Sequence, residues 1–227
     1  NLRATILLDA SASMRFAGTR ATLISKLNHA KQIAAALAWV LMQQGDAVGL
    51  VAFDQRVRLR MPFGSTAGHL HRLLEAITGV QPEQPSATAT VIHQLAETIP
   101  SRGVVILCSD LLDDPHSLQH ALYHLRHRNH EIVVMHVLAD EEVNFPFSES
   151  IRFCDLEGFD EWMDIDPPAI RSEYLRQLQQ HLSAVKQACH QVAADYLLTT
   201  TEQNVADVVI NYLATRTGNS IVAGASS

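Results

Sequence analysis

Three runs in this chain are too apolar to carry a wet face: ATILLD at residues 4–9, DAVGLVAF at 46–53 and RGVVILCSD at 102–110. Side chains of a strand point alternately to its two faces, so runs of this kind need cover on both sides. The cover stands between them. KLNHAKQIAAALAWVLMQQG at 26–45 has helical spacing through Leu27, Ala30, Ile33, Ala34, Leu37 and Leu41, with Gly45 as its stop. TAGHLHRLLEAITG at 66–79, SATATVIHQLAETIP at 86–100 and HSLQHALYHLRHRN at 116–129 are further predicted helices, and HEIVVMHVL at 130–138 is a further strand. Ser86 is placed to cap the third of these helices. RVRLRMP at 56–62 alternates strictly, with Val57, Leu59 and Met61 on one face and Arg56, Arg58 and Arg60 on the other. That pattern predicts a half-exposed edge strand whose arginines deter pairing with other chains. The predicted class is α/β: a Rossmann-like, doubly wound, mostly parallel sheet with one antiparallel edge strand and helices on both faces.

Residues 139–168 depart from this rhythm. They are acidic and aromatic, and SIRFCDLEGFDEWMDID at 150–166 reads as a small hairpin turning near Gly158. A long helix over about 169–194, the strand DYLLTT at 195–200 and a helix over 202–216 complete the chain. The expected organisation is one domain over 1–217, with a hairpin insertion at about 140–168 and a frayed tail at 218–227.

Composition removes several classes. A formal net charge of -7 argues against sequence-independent nucleic-acid binding, which needs a basic face. No apolar run reaches about 18 residues, so no membrane span is expected. The opening NLRATILLD lacks a methionine, as a piece of a longer chain would, and lacks the basic region of a signal peptide. The three cysteines, Cys108, Cys154 and Cys189, are far apart in sequence and form no C-x-x-C pair, which suits reduced thiols and a cytoplasmic setting.

Two of the buried strands end in an acid, ILLD at Asp9 and LCSD at Asp110. Ligands of open parallel sheets bind outside the carboxyl ends of strands where the strand order reverses. Neighbouring strands at that reversal would point Asp9 and Asp110 into one crevice. In DASAS, residues 9–13, an extended backbone would present Asp9, Ser11 and Ser13 on one side. Ser86 could add another hydroxyl, with Thr88 and Thr90 as alternatives. Oxygen donors on small side chains suit Mg²⁺ or Mn²⁺ and not zinc, which prefers nitrogen and sulfur. The competing reading is an Asx turn with no ligand.

DASAS resembles the D-x-S-x-S signature of the metal-ion-dependent adhesion site in von Willebrand factor A-type domains. TILLDASASM, GDAVGLVAFD, RGVVILCSDLLDDP, HRNHEIVVMHVL and the segment with FPF and FCDLEG are similar, in the same order, to the bacterial group called domain of unknown function 58. That resemblance implies an A-type fold and a cation held by Asp9, Ser11 and Ser13 from the first loop, Ser86 from the middle loop and Asp110 from the third. The group usually has a threonine in the middle loop, seven residues before a histidine, and counting back from His93 lands on Ser86. The resemblance also implies a protein partner offering an acidic side chain, and work alongside a MoxR-type AAA+ ATPase.

Enzyme readings find little footing. The first strand is not followed by G-x-G-x-x-G, and neither a G-x-x-x-x-G-K-[ST] loop nor a G-x-S-x-G elbow occurs. The remaining enzymatic alternative is a metal-dependent phosphohydrolase using Asp9 as nucleophile. A scaffold with a degenerate metal site is the other alternative. His116, His120 and His124 share one helix face at i, i+4 and i+8, but no cysteine or acid completes a zinc motif there, and a solvated face is expected.

Overall fold

The computed structural model describes residues 2–19, 24–100, 102–148, 151–154 and 162–224. Six strands form one sheet in the order β3-β2-β1-β4-β5-β8. They are β1 (Arg3–Asp9), β2 (Ala47–Phe53), β3 (Val57–Gly64), β4 (Gly103–Ser109), β5 (His130–Leu138) and β8 (Asp195–Thr200). All neighbours are parallel except β2 and β3. The predicted architecture, with its antiparallel edge strand, is the observed one.

The alternation within each strand divides the core in two. Ile6, Leu8, Leu50, Ile106 and Met135 face α1 (Lys26–Gln43), α2 (Ala67–Gly79) and α7 (Val205–Gly224). Leu7, Val51, Val105, Leu107 and Val134 face α3 (Thr88–Thr98), α4 (Pro115–His127) and α6 (Pro167–Gln191). Ser25 caps α1 by accepting the Asn28 N–H, and Asp114 caps α4 by accepting that of Ser117, with Pro115 opening the helix. Helix α7 continues beyond Arg216, where the sequence reading ends it, because no proline follows to stop it. Tyr212 of α7 is fully buried on the α1 face.

On the edge strand the side chains of Arg58 and Arg60 are engaged. Arg58 pairs with buried Asp54 at 2.7 Å and also with Glu83, and Arg60 donates to the Thr98 carbonyl at 2.9 Å. After β5 comes a five-residue helix, α5 (Asp140–Asn144), too short to show a period in the sequence. The insertion then pairs β6 (Ile151–Cys154) with β7 (Trp162–Ile165) as an antiparallel hairpin. Its expected turn at Gly158 lies outside the described residues. Among the described residues, no helix is long and apolar enough to cross a membrane.

One glycine sets how closely β1 and β4 approach. A Cβ on Gly103 would stand 2.5 Å from the backbone oxygen of Arg3, and neither strand can yield without disturbing the ladder. Gly103→Ala is expected to cost about 1–3 kcal/mol. An unchanged denaturant midpoint in that variant would show that the strands can separate freely.

Candidate metal centre

Strands β1 and β4 are adjacent and parallel, and the order reverses between them, since β2 lies to one side of β1 and β4 to the other. Asp9 therefore ends one strand and Asp110 follows the next at the topological switch point. Both side chains are fully buried.

Asp9 is held from three places: its own loop, the end of β4 and the start of α3. Its Oδ1 accepts the Ser11 N–H at 2.8 Å, and its Oδ2 accepts the Ser109 hydroxyl at 2.5 Å and the Thr88 hydroxyl at 3.4 Å. The first of these bonds is an Asx turn that bends the chain away from the extended course expected of DASAS. A 3-10 turn, Ala12–Arg15, follows at once, closed by Met14 N–H to Ser11 O and Phe16 N–H to Ser13 O. Ser13 thus reaches the centre from a turn and not from a strand. Ser11 Oγ and Ser13 Oγ still lie 3.1 Å apart, both buried.

The middle loop differs from expectation in one respect. Ser86 does not cap α3; Ala87 occupies the cap position without a side-chain bond. The Ala89 N–H at the start of α3 is taken instead by Asp113 Oδ2, at 3.1 Å, from the loop after β4. The Ser86 hydroxyl meets that of Thr88 at 2.9 Å, and Thr88 in turn touches Asp9. Both hydroxyls belong to one chain of contacts leading to Asp9, and Thr88 is the nearer. The loop is also docked to the first by backbone bonds, Ala12 N–H to Gln84 O and Glu83 N–H to Ala10 O.

Three residues that sequence reasoning passed over complete the centre. Ser109 is one, through Asp9; it stands directly before Asp110 in CSD. The others are Lys26 and Glu142. Lys26 is the first residue of α1, yet its side chain is 1% exposed, and its Nζ lies 2.8 Å from Asp110 Oδ2 and 2.7 Å from Glu142 Oε1. A cation in the first helical turn opposes the helix dipole, and that was the available signal. Glu142 is fixed in turn by the Ala139 N–H on its Oε2, at 2.7 Å. Burial alone would lower the Lys26 pKa, but Asp110 and Glu142 outweigh it and hold the ammonium above its ordinary value.

Behind the site, two imidazoles grip the third loop. His136 on β5 donates its Nε2–H to the Asp110 carbonyl at 2.8 Å and accepts from the Tyr196 hydroxyl at Nδ1, at 2.9 Å. Burial pushes its pKa down to about 4, so it stays neutral. His181 on α6 donates to the Leu111 carbonyl at 2.8 Å. Leu111 itself has φ 51, a left-handed backbone that a leucine holds only when its surroundings insist.

The charges leave a deficit. Burial raises the Asp9 carboxyl to about 7, the nearby Asp110 charge adds to this, and hydrogen bonds from Ser109 and Ser11 oppose it. Among the described residues, Asp110 Oδ1 is buried with no hydrogen-bond partner. A buried ionised oxygen without a partner is costly. Taken as ionised, Asp9, Asp110 and Glu142 against Lys26 leave two negative charges, the charge of one divalent cation. The donor set of carboxylates and hydroxyls fits Mg²⁺ or Mn²⁺. The histidines of α4 lie elsewhere: the His116 and His120 rings meet at a tilt, while His124 faces His93 at 3.2 Å and Glu97 at 2.8 Å.

The fold is von Willebrand factor A-like. The SpRpn10 VWA domain superposes with a TM-score of 0.50 at 12% identity, over 92% of this chain and 93% of that one. BatB from Bacteroides thetaiotaomicron matches at 0.59 and 16%, over 96% and 100%. An aerotolerance-related membrane protein from Bacteroides fragilis NCTC 9343 matches at 0.63 and 16%, over 93% and 98%. Residues 1–184 match the model of the protein family of unknown function DUF58, and the chain belongs to that family. None of the curated proteins matches it.

Proposed function

We propose that the chain is a protein-binding module whose adhesion-type site holds Mg²⁺ or Mn²⁺ and, through it, an acidic side chain of a partner. Asp9, Ser11, Ser13, Asp110 and a middle-loop hydroxyl, from Thr88 or Ser86, would hold the ion. The ion supplies a positive centre that ties three loops together and accepts a carboxylate from outside. The observation that carries this reading is Asp110 Oδ1, without a hydrogen-bond partner among the described residues and buried beside an acid whose own ionisation burial resists. Two buried acids that lack enough cation between them are costly as a scaffold and useful as a site. Within the DUF58 resemblance, a MoxR-type AAA+ ATPase is the partner class proposed, with assembly or remodelling of other proteins as the shared task and the cytoplasm as the setting. The module binds and does not turn over.

Titration calorimetry of the metal-stripped chain with Mg²⁺ and Mn²⁺ tests this. Saturable binding is expected in the parent, with Asp9→Ala and Asp110→Ala abolishing it. Folded parent protein that takes up neither ion would refute the site. Cation-dependent hydrolysis of a phosphoester, lost in Asp9→Asn, would point instead to Asp9 as a nucleophile.

A further inference from the structure

We propose that Lys26 makes Asp110 a one-oxygen ligand and thereby selects a small cation, Mg²⁺ or Mn²⁺, over Ca²⁺. The proposal rests on the cation-site reading above and adds to it a residue that determines the site's selectivity. The ammonium lies 2.8 Å from Asp110 Oδ2, while Oδ1 of the same carboxylate has no hydrogen-bond partner among the described residues. Glu142 Oε1, at 2.7 Å, holds the same ammonium from another side, and Glu142 is itself anchored through Oε2 to the Ala139 N–H. Lys26 is thus buried with two acids against its ammonium. Asp9 is similarly committed, since each of its oxygens already accepts a protein hydrogen bond. Neither acid is set to chelate with both oxygens.

Cation size responds to this. Mg²⁺ demands about six ligands in near-octahedral array at about 2.1 Å, and suits carboxylates that each give one oxygen. Ca²⁺ takes about six to eight oxygens at longer range and is commonly chelated by both oxygens of an acid. A site whose acids give one oxygen each, filled out by small hydroxyls, favours the smaller ion. Lys26 is a positioning residue here: it touches Asp110 and not the ion.

The test is calorimetric titration of the whole chain with Mg²⁺, Mn²⁺ and Ca²⁺ at pH 8. The double variant Lys26→Met/Glu142→Gln removes one charge of each sign, so the net charge of the site is unchanged while Asp110 Oδ2 is released. The parent is expected to bind Mg²⁺ more tightly than Ca²⁺. The double variant is expected to move the Ca²⁺-to-Mg²⁺ affinity ratio at least ~tenfold toward Ca²⁺. Glu142→Gln alone keeps the Lys26–Asp110 pair and is expected to keep the parent's ratio. A loss of packing alone would weaken both ions equally and leave the ratio unmoved. An unchanged ratio in a folded double variant overturns the proposal. So does a parent that binds Ca²⁺ as tightly as Mg²⁺, whether or not the double variant folds. A parent that binds none of the three ions refutes the site itself, a result distinct from either.

Discussion

Lys26→Ala is expected to remove about 3–5 kcal/mol from the unfolding free energy of the metal-free chain. Among the described residues, the alanine leaves Asp110, which is fully buried, with no positive charge within ion-pair distance, and removes the ammonium from Glu142. The cost comes mainly from the acid left alone, because the pair's attraction is largely offset by the desolvation of both charges. Each kcal/mol moves the melting temperature of a chain this size by about 2–4 °C, so the shift should be plain in a thermal scan. Denaturant unfolding at constant slope would give the free energy directly. A loss under about 1 kcal/mol, the value of a surface pair, would mean that water reaches the ammonium in solution.

A second large effect is expected from pH. The Asp9 carboxyl is raised in the folded chain from 3.8 to about 7, chiefly by burial. Below pH ~4 it is protonated in both folded and unfolded chains, and its contribution to stability is fully present. As pH rises, the unfolded chain ionises freely while the folded chain resists, so that stability is lost progressively up to and through pH ~7. The loss between pH ~4 and ~8 is on the order of 3–4 kcal/mol. The metal-free chain should therefore melt lower at pH 8 than at pH 5 by roughly 5–10 °C from this group alone. Other groups titrate over the same range, so the contribution of Asp9 is the difference between the parent and Asp9→Asn, whose profile should be flatter. In the proposed site Mg²⁺ competes with the proton, and its stabilising effect should be large at pH 8 and small at pH 5. Parallel profiles for parent and Asp9→Asn would show that Asp9 ionises without penalty.

Much of the scaffold was legible in the residues because it is written in period and polarity. Doubly buried strands cannot alternate, amphipathic helices must, and the edge strand carrying Arg56, Arg58 and Arg60 did so in full view. The two strand-ending acids could be assigned to one crevice once the strands were expected to be neighbours at the reversal. What escaped were contacts set by packing across long sequence separations. Lys26 reads as an ordinary polar residue at the start of a helix, and Glu142 lies 116 positions away in a helix of five residues. Asp113 taking the cap of α3, and Ser86 passing to Thr88, depend on how two loops meet, which no local pattern records. The course of the first loop was misjudged for a local reason: the Asp9 carboxylate captures the Ser11 N–H and turns the chain before Ser13.

The DUF58 match ends at residue 184, partway along α6, while the last strand of the sheet and the helix that buries Tyr212 come after it. Recognisability and foldability therefore have different borders in this chain. A fragment cut where the family likeness stops would bare the long side of β5 and strip cover from α1, the helix that carries Lys26. The segment after 184 also reaches the candidate site, because Tyr196 on β8 holds His136, the imidazole that grips the Asp110 carbonyl.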